Sequence, residues 1–157
     1  RPTFATTLEH SIQRIMEEIG WFSLEVLGPD EFWDALLELT HRTVDWAKRN
    51  EWWIRLGKAM HKLQQEVGTD AAGRRLANVG KGWWTSIVQR GQTLGVIRTD
   101  LPLDLLVAIV MGADQGGDAW MMDHWDDFSE EDIRRIVDAR VDLLRDMLDK
   151  ENEGWER

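Results

Sequence analysis

The chain of 157 residues fits one domain, long enough to bury a core without staples, and the absence of cysteine excludes disulfides, thiolate metal sites and a Cys nucleophile. Hydrophobic residues at 43% and charged residues at 31% exclude a disordered chain, and the longest apolar run, Leu105 to Ala113, falls well short of the roughly 20 residues of a membrane span. A net charge of −10 opposes nucleic-acid binding by the chain as a whole.

Periodicity predicts helix nearly throughout, since β-branched alternation over strand lengths is missing and only three prolines interrupt the chain. A first helix is expected over about residues 5–19, with Leu8, Ile12, Ile15, Met16 and Ile19 on one stripe and Gly20 as its stop. Gly28-Pro29-Asp30 reads as a turn, with Asp30 as the N-cap of a second helix that runs to about Arg49 and breaks at Asn50. Its inward side is Phe32, Leu36, Leu39, Val44 and Ala47. A third helix, over about 51–67, carries Trp53, Leu56, Met60, Leu63 and Val67 at helical spacing, and Gly68-Thr69-Asp70 ends it and caps the next.

The fourth helix is expected from about Ala71 to Leu94, with Leu76, Val79, Trp83 and Ile87 inward. Glycines 73, 80, 82 and 91 interrupt it, each costing about 1 kcal/mol relative to Ala, so a kink, a break near Gly80-Lys81-Gly82 or close packing is expected there. A connector follows from Gly95 to Asp100, and a fifth helix begins around Leu101-Pro102 and reaches about Met122. Ser129-Glu130-Glu131-Asp132 resembles a capping box and opens a sixth helix carrying Ile133, Ile136, Val137, Val141, Leu144, Met147 and Leu148. The expected fold is all-α, a bundle of about six helices in one domain over residues 1–157.

Charge is unevenly spread. Residues 41–98 carry 11 basic and 4 acidic groups, and the segments on either side are acidic. Either the helices neutralise one another on packing, or the basic middle faces something anionic.

From Gly91 onward the run Gly91-Gln92-Thr93-Leu94-Gly95-Val96-Ile97-Arg98-Thr99-Asp100-Leu101-Pro102-Leu103-Asp104-Leu105-Leu106 resembles the C-terminal regulatory domain of TetR-family transcriptional repressors. There a helix ends in Gly, an Ile-Arg-x-Asp connector follows, and a Pro-started apolar helix comes next. The order and lengths of the other helices fit that family along nearly the whole chain. The resemblance implies ligand binding, transcription regulation and a homodimer in which the last two helices form a four-helix interface. It also implies DNA binding through an N-terminal helix-turn-helix domain. No segment here reads as one, and the chain opens on Arg1, so that domain is expected upstream. A cytoplasmic location is expected with it, and no membrane partner.

Ten tryptophans with no tyrosine give wide π faces and N–H donors but no hydroxyl acceptor. Neighbours on a helix differ by about 100°, so within Trp52-Trp53 and Trp83-Trp84 one ring is expected inward and the other sideways. Asp114 and Asp118 lie four apart within an otherwise apolar, glycine-rich stretch, where a buried carboxylate needs a partner. Carboxylates beside indoles favour a cationic ligand, whereas water or an Arg across a subunit interface would serve them equally. Trp53, Met60, Trp83, Trp84, Met111, Asp114, Asp118 and Trp120 are therefore the candidate ligand pocket. Gly112 and Gly116, spaced to let another helix approach, join Ile133, Val137, Val141 and Leu144 as the candidate dimer interface.

Enzyme motifs are weak. Glu38-Leu39-Thr40-His41 is one Glu-x-x-His pair where di-iron bundles need two, and Asp126-Asp127-Phe128-Ser129-Glu130 resembles an isoprenoid-synthase magnesium motif in a chain far too short for that fold. The sequence thus favours a non-enzymatic sensor: a small hydrophobic ligand, with a cationic group where the acids lie, and no cofactor or bound metal. A metal carrier or enzyme on a helical bundle, and an interaction module without a ligand, are the alternatives.

Overall fold

Each expected helix forms, and its ends follow from local chemistry. The structure is a computed structural model describing residues 1, 3–21, 28–67 and 71–153, and it is all-α with no named strand among the described residues. Helix α1 spans Phe4–Ile19. Thr3 caps its N-terminus by accepting from the Thr6 amide, and Gly20, at φ 91°, closes its C-terminus with its N–H on the carbonyls of Met16 and Glu17. Helix α2 spans Phe32–Arg49, with the Asn50 side chain donating to the Trp46 carbonyl at 2.8 Å. Asp30 is not its N-cap. Pro29–Glu31 forms a 3-10 turn that places Glu31 there, with no side-chain capping bond.

Helix α3 spans Glu51–Val67 and α4 Ala71–Thr93. The expected cap at Gly68-Thr69-Asp70 and the side chains of Leu63, Val67 and Leu76 lie outside the described residues. α4 is continuous through Gly80-Lys81-Gly82, and its glycines serve close approach instead. Met111 Cε lies 3.8 Å from where a Gly80 Cβ would be, and a Cβ on Gly91 would collide with the Ile97 side chain and meet Phe32 Cζ at 3.1 Å.

Helix α5 spans Leu103–Asp123, one residue past Pro102, whose extended ψ of 138° holds it outside the helix as N-cap. Helix α6 spans Glu130–Leu148 and opens with the reciprocal capping box, Ser129 Oγ accepting from the Asp132 amide at 3.1 Å while the Asp132 carboxylate accepts from the Ser129 amide. The end of α6 is pinned to the α4–α5 connector: Arg98 N–H donates to the Leu148 carbonyl at 2.8 Å, and Lys150 N–H to the Val96 carbonyl at 3.1 Å.

Packing makes α4 and α5 the middle of the molecule. α4 lies between α1 and α5, and α5 also contacts α3 and α6, while α2 packs on α1, α3 and α6. This explains a departure from the expected Trp pattern. Trp83 and Trp84 are both buried because α4 has a neighbour on each side, whereas Trp52 stays 49% exposed next to a half-buried Trp53. The main core joins Met16, Phe32, Leu36, Ile87, Val88 and Leu106, with Ile97 and Leu148 sealing one end. A smaller cluster of Met121, Ile133 and Val137 closes the other.

Neutralisation between helices accounts for part of the charge pattern. His41 on α2 meets Asp138 on α6 at 2.6 Å, Lys48 meets Glu130 at 3.9 Å, and Asp45 meets Arg134 at 3.8 Å. Among the described residues no helix is long and apolar enough to cross a membrane.

Candidate ligand-binding site

All six helices bring side chains to one cavity of about 440 Å³. α1 contributes Leu8, Ile12 and Met16; α2 Leu36, Leu39, Thr40, Thr43, Val44 and Ala47; α3 Trp53, Ile54, Leu56, Gly57 and Met60. Val79, Gly80, Trp83 and Trp84 come from α4, and Asp114, Asp118, Met121 and Met122 from α5. Arg140, Val141 and Leu144 of α6 complete it, with Trp21 and Trp125 from the connecting segments. The inward stripe of α3 explains its own exposure pattern. Trp53, Leu56 and Met60 are only half-buried, because what they face is the void.

The indoles are held in place by their N–H groups. Trp21 and Trp83 lie 4.8 Å apart, the Trp83 indole donates to the Trp21 carbonyl at 3.1 Å, and the Trp21 indole donates to Thr43 Oγ1 at 3.0 Å. Thr43 in turn donates to the Leu39 carbonyl at 2.9 Å, so this wall is tied back to α2. Trp84 stands edge-on to Trp83 at 4.8 Å and hydrogen bonds Asp114.

One corner of the cavity is charged. Arg140 Nη2 lies 3.0 Å from Asp118 Oδ1, 3.5 Å from Asp114 Oδ1 and 3.2 Å from the Asp114 carbonyl, and Nη1 lies 3.0 Å from Met121 Sδ. Gly117 makes this geometry possible. A Cβ there would stand 2.6 to 2.7 Å from the guanidinium atoms, so only a residue without a side chain lets Arg140 lie flat on α5 between the two acids. Both carboxyls are set among protein atoms yet keep water-reachable surface, 34% of the side chain for Asp114 and 57% for Asp118, because they face the open cavity. Burial, followed by the charge of Asp118, pushes the Asp114 carboxyl up to about 7, against the opposing pull of Arg140 and Trp84. Burial also raises Asp118, opposed by its charge pair and hydrogen bond with Arg140.

Of the eight expected pocket residues, six are brought together here: Trp53, Met60, Trp83, Trp84, Asp114 and Asp118. Met111 and Trp120 are not in the wall. Met111 turns away to pack over Gly80 and the core. Trp120 sits on the outer side of α5, 45% exposed, stacked on His124 at 4.4 Å and tilted against Phe128 at 5.6 Å. Sequence reasoning missed Trp21, Trp125, the methionines 16, 121 and 122, and Arg140.

The expected interface set divides in the same way. Ile133, Val137 and Val141 are buried inside the chain, and Leu144 packs on its core and lines the cavity, so their apolar surface is covered without a second copy. Gly112 and Gly116 remain on the surface, with none of the described residues within 4 Å of a Cβ built on either. Leu105, Ile109 and Trp120 share that side of α5, and Leu143 and Met147 are the exposed apolar residues of α6.

His41 and Glu38 lie together in a surface hollow on α2 with Asp34, Arg42, Asp45 and Arg134. Among the described residues no group of three His, Asp or Glu side chains converges as metal ligands would.

No family model, curated protein or solved structure matches the chain.

Proposed function

We propose that residues 1–157 form the effector-binding and dimerisation domain of a TetR-like transcriptional repressor whose signal is a small hydrophobic molecule. The cavity carries this reading. Protein interiors rarely keep voids larger than a water molecule, whereas ligand sites run from about 300 to 1,000 Å³ with mostly apolar walls and a few placed polar groups. A chamber of about 440 Å³ fed by every helix, with one charged corner, has the size and composition of the second kind.

The surface of α5 supports the dimer. Its outward side runs Leu105, Ile109, Gly112, Gly116 and Trp120 at helical spacing, so the helix is apolar on both sides. A helix hydrophobic all round belongs inside a larger body. A second copy of the chain, packed on α5 and on the Leu143–Met147 side of α6, covers that surface. DNA binding then falls to a helix-turn-helix domain ahead of Arg1 in a cytoplasmic protein. The ligand acts by preferring one arrangement of the dimer, and a full switch from 1:99 to 99:1 requires about 10⁴-fold preference between the two states.

Tryptophan emission reports occupancy, because five indoles line the wall. Titration with drug-sized lipophiles is expected to quench it at micromolar concentration. A chain extended upstream of Arg1 is expected to release operator DNA at the same concentrations. Unchanged emission and unchanged DNA binding across such a panel would remove the sensor reading.

A further inference from the structure

We infer that the occupant of the cavity is a lipophilic molecule carrying one positive charge, its cationic head seated against Asp114 and Asp118. The inference rests on the sensor reading and names the ligand class for that site.

Three observations on the cavity wall carry it. The first is charge. Among the described residues α1, α2, α3 and α4 bring no charged side chain to the wall, α5 brings Asp114 and Asp118, and α6 brings Arg140 as its one charge. Two carboxyl groups thus share one guanidinium, and the excess is acidic. The second is hydrogen-bonding capacity. Thr40 donates to the Leu36 carbonyl, Thr43 to the Leu39 carbonyl and Trp83 to the Trp21 carbonyl. Arg140 is directed at both acids, the Asp114 carbonyl and Met121 Sδ. These donors already point at protein, while an ionised carboxylate offers about four lone-pair sites and Asp118 Oδ2 has no partner among the described residues. At the two acids the spare capacity accepts, so this corner suits a donor or a cation and repels an anion, while the indole N–H groups of Trp53 and Trp125 elsewhere in the lining can donate to a neutral acceptor. The third is the aromatic wall. Trp84 hydrogen bonds Asp114 and stands edge-on to Trp83, so the acid corner adjoins two indoles, a side-chain type that attracts cations as well as apolar bodies.

Such binding exchanges charge for a proton. Empty, the corner lowers its excess charge by keeping Asp114 protonated up to about pH 7. A cation at the same place favours the ionised carboxylate, so below that pH binding expels a proton, and affinity rises with pH until Asp114 is ionised without help. Between pH 6 and 7.5 a group titrating near 7 gives about an eightfold gain.

The test uses a fixed-charge probe, trimethyl(1-naphthylmethyl)ammonium, and its neutral carbon isostere, 1-neopentylnaphthalene, followed by Trp quenching. Neither probe titrates, so any pH dependence belongs to the protein. Asp114→Asn and Asp118→Asn each leave Arg140 one carboxylate, and thermal melts confirm that both variants fold. Each variant is expected to weaken the ammonium probe about tenfold and leave the isostere unchanged. In the unaltered protein the ammonium dissociation constant is expected to fall about eightfold from pH 6 to 7.5, with no change for the isostere. Equal affinity of the ammonium probe for unaltered and Asn chains overturns the cation site and leaves a sensor for neutral lipophiles. A flat pH profile overturns the proton exchange. Failure of both probes to bind the unaltered protein removes the ligand cavity, and the sensor reading with it.

Discussion

A carboxyl group moved from water to a low-dielectric site resists ionisation, and a second carboxylate one helical turn away adds to the resistance. Asp114 meets both conditions, and its pKa of about 7 has a consequence for stability. The folded chain holds this proton more tightly than the unfolded one, so the group's contribution to stability is fully present below the ordinary Asp range and declines as pH rises from about 4 through 7. Replacing the acid with a neutral isostere removes that decline. Asp114→Asn is expected to raise the melting temperature at pH 8 by clearly more than at pH 5, where only about a third of the decline has occurred. The gain is about 2–4 °C for each kcal/mol relieved, read from melts at the two pH values. A larger gain at pH 5 than at pH 8 would contradict the assignment. The two acids were legible in the sequence because i, i+4 spacing puts them on one side of a helix inside an apolar run. Arg140 was not, since it lies 22 residues beyond Asp118 and reaches the pair only through the α5–α6 packing and the bare backbone of Gly117. Trp120 was misplaced for a related reason. Indole richness marks apolar surface without saying which side of a helix it covers, and α5 is apolar on both.

Among the elements, α4 shows how a glycine can be read two ways. Interior glycines weaken a helix, yet α4 runs unbroken for 23 residues because packing against α1 and α5 outweighs that loss. Gly91 marks where the connector returns: Ile97 and Phe32, both essentially inaccessible to water, fill the space where its side chain would be. An added methyl has no room there, since Ile97 and Phe32 belong to the same closed core cluster as Leu148. Gly91→Ala is expected to destabilise the chain by about 1–3 kcal/mol despite its better helix propensity, measured by urea unfolding at unchanged m-value. A neutral or stabilising result would mean that the connector docks elsewhere. Helix positions and the capping box could be read from periodicity and from Ser129 with Asp132, both local signals. A pocket could be expected from the tryptophans and the two acids, but its full lining could not, because a void is a property of how six stripes fail to meet. The stripe Trp53, Leu56, Met60 has the same spacing whether it faces packed neighbours or empty space.

For the whole molecule, the decisive feature is a helix with two apolar sides and only one of them covered. Leu105 and Ile109 are 44% and 41% exposed, and Gly112 and Gly116 continue the strip to Trp120 with none of the described residues above them. Burial within the chain removes Ile133, Val137 and Val141 from the expected interface, which moves the centre of any contact between copies onto α5. Ile109 stands near the middle of that strip and touches solvent in the single chain. A lysine there keeps its charge in water, so the fold should change by no more than about 0.5 kcal/mol. In a dimer the same ammonium is carried into an apolar contact without a nearby counter-charge on α5, where Asp104 lies at one end of the helix, Asp123 at the other, and Asp114 and Asp118 face the cavity. Ile109→Lys is therefore expected to leave the melting curve of dilute chain unchanged while weakening self-association at least tenfold, about 1.4 kcal/mol, by sedimentation equilibrium. The control is Leu143→Lys, on the neighbouring helix and 64% exposed, which should weaken association less if α5 is the centre of the contact. If the unaltered chain is monomeric at micromolar concentration, the strip is covered by some other body and the arrangement of two copies about α5 is wrong.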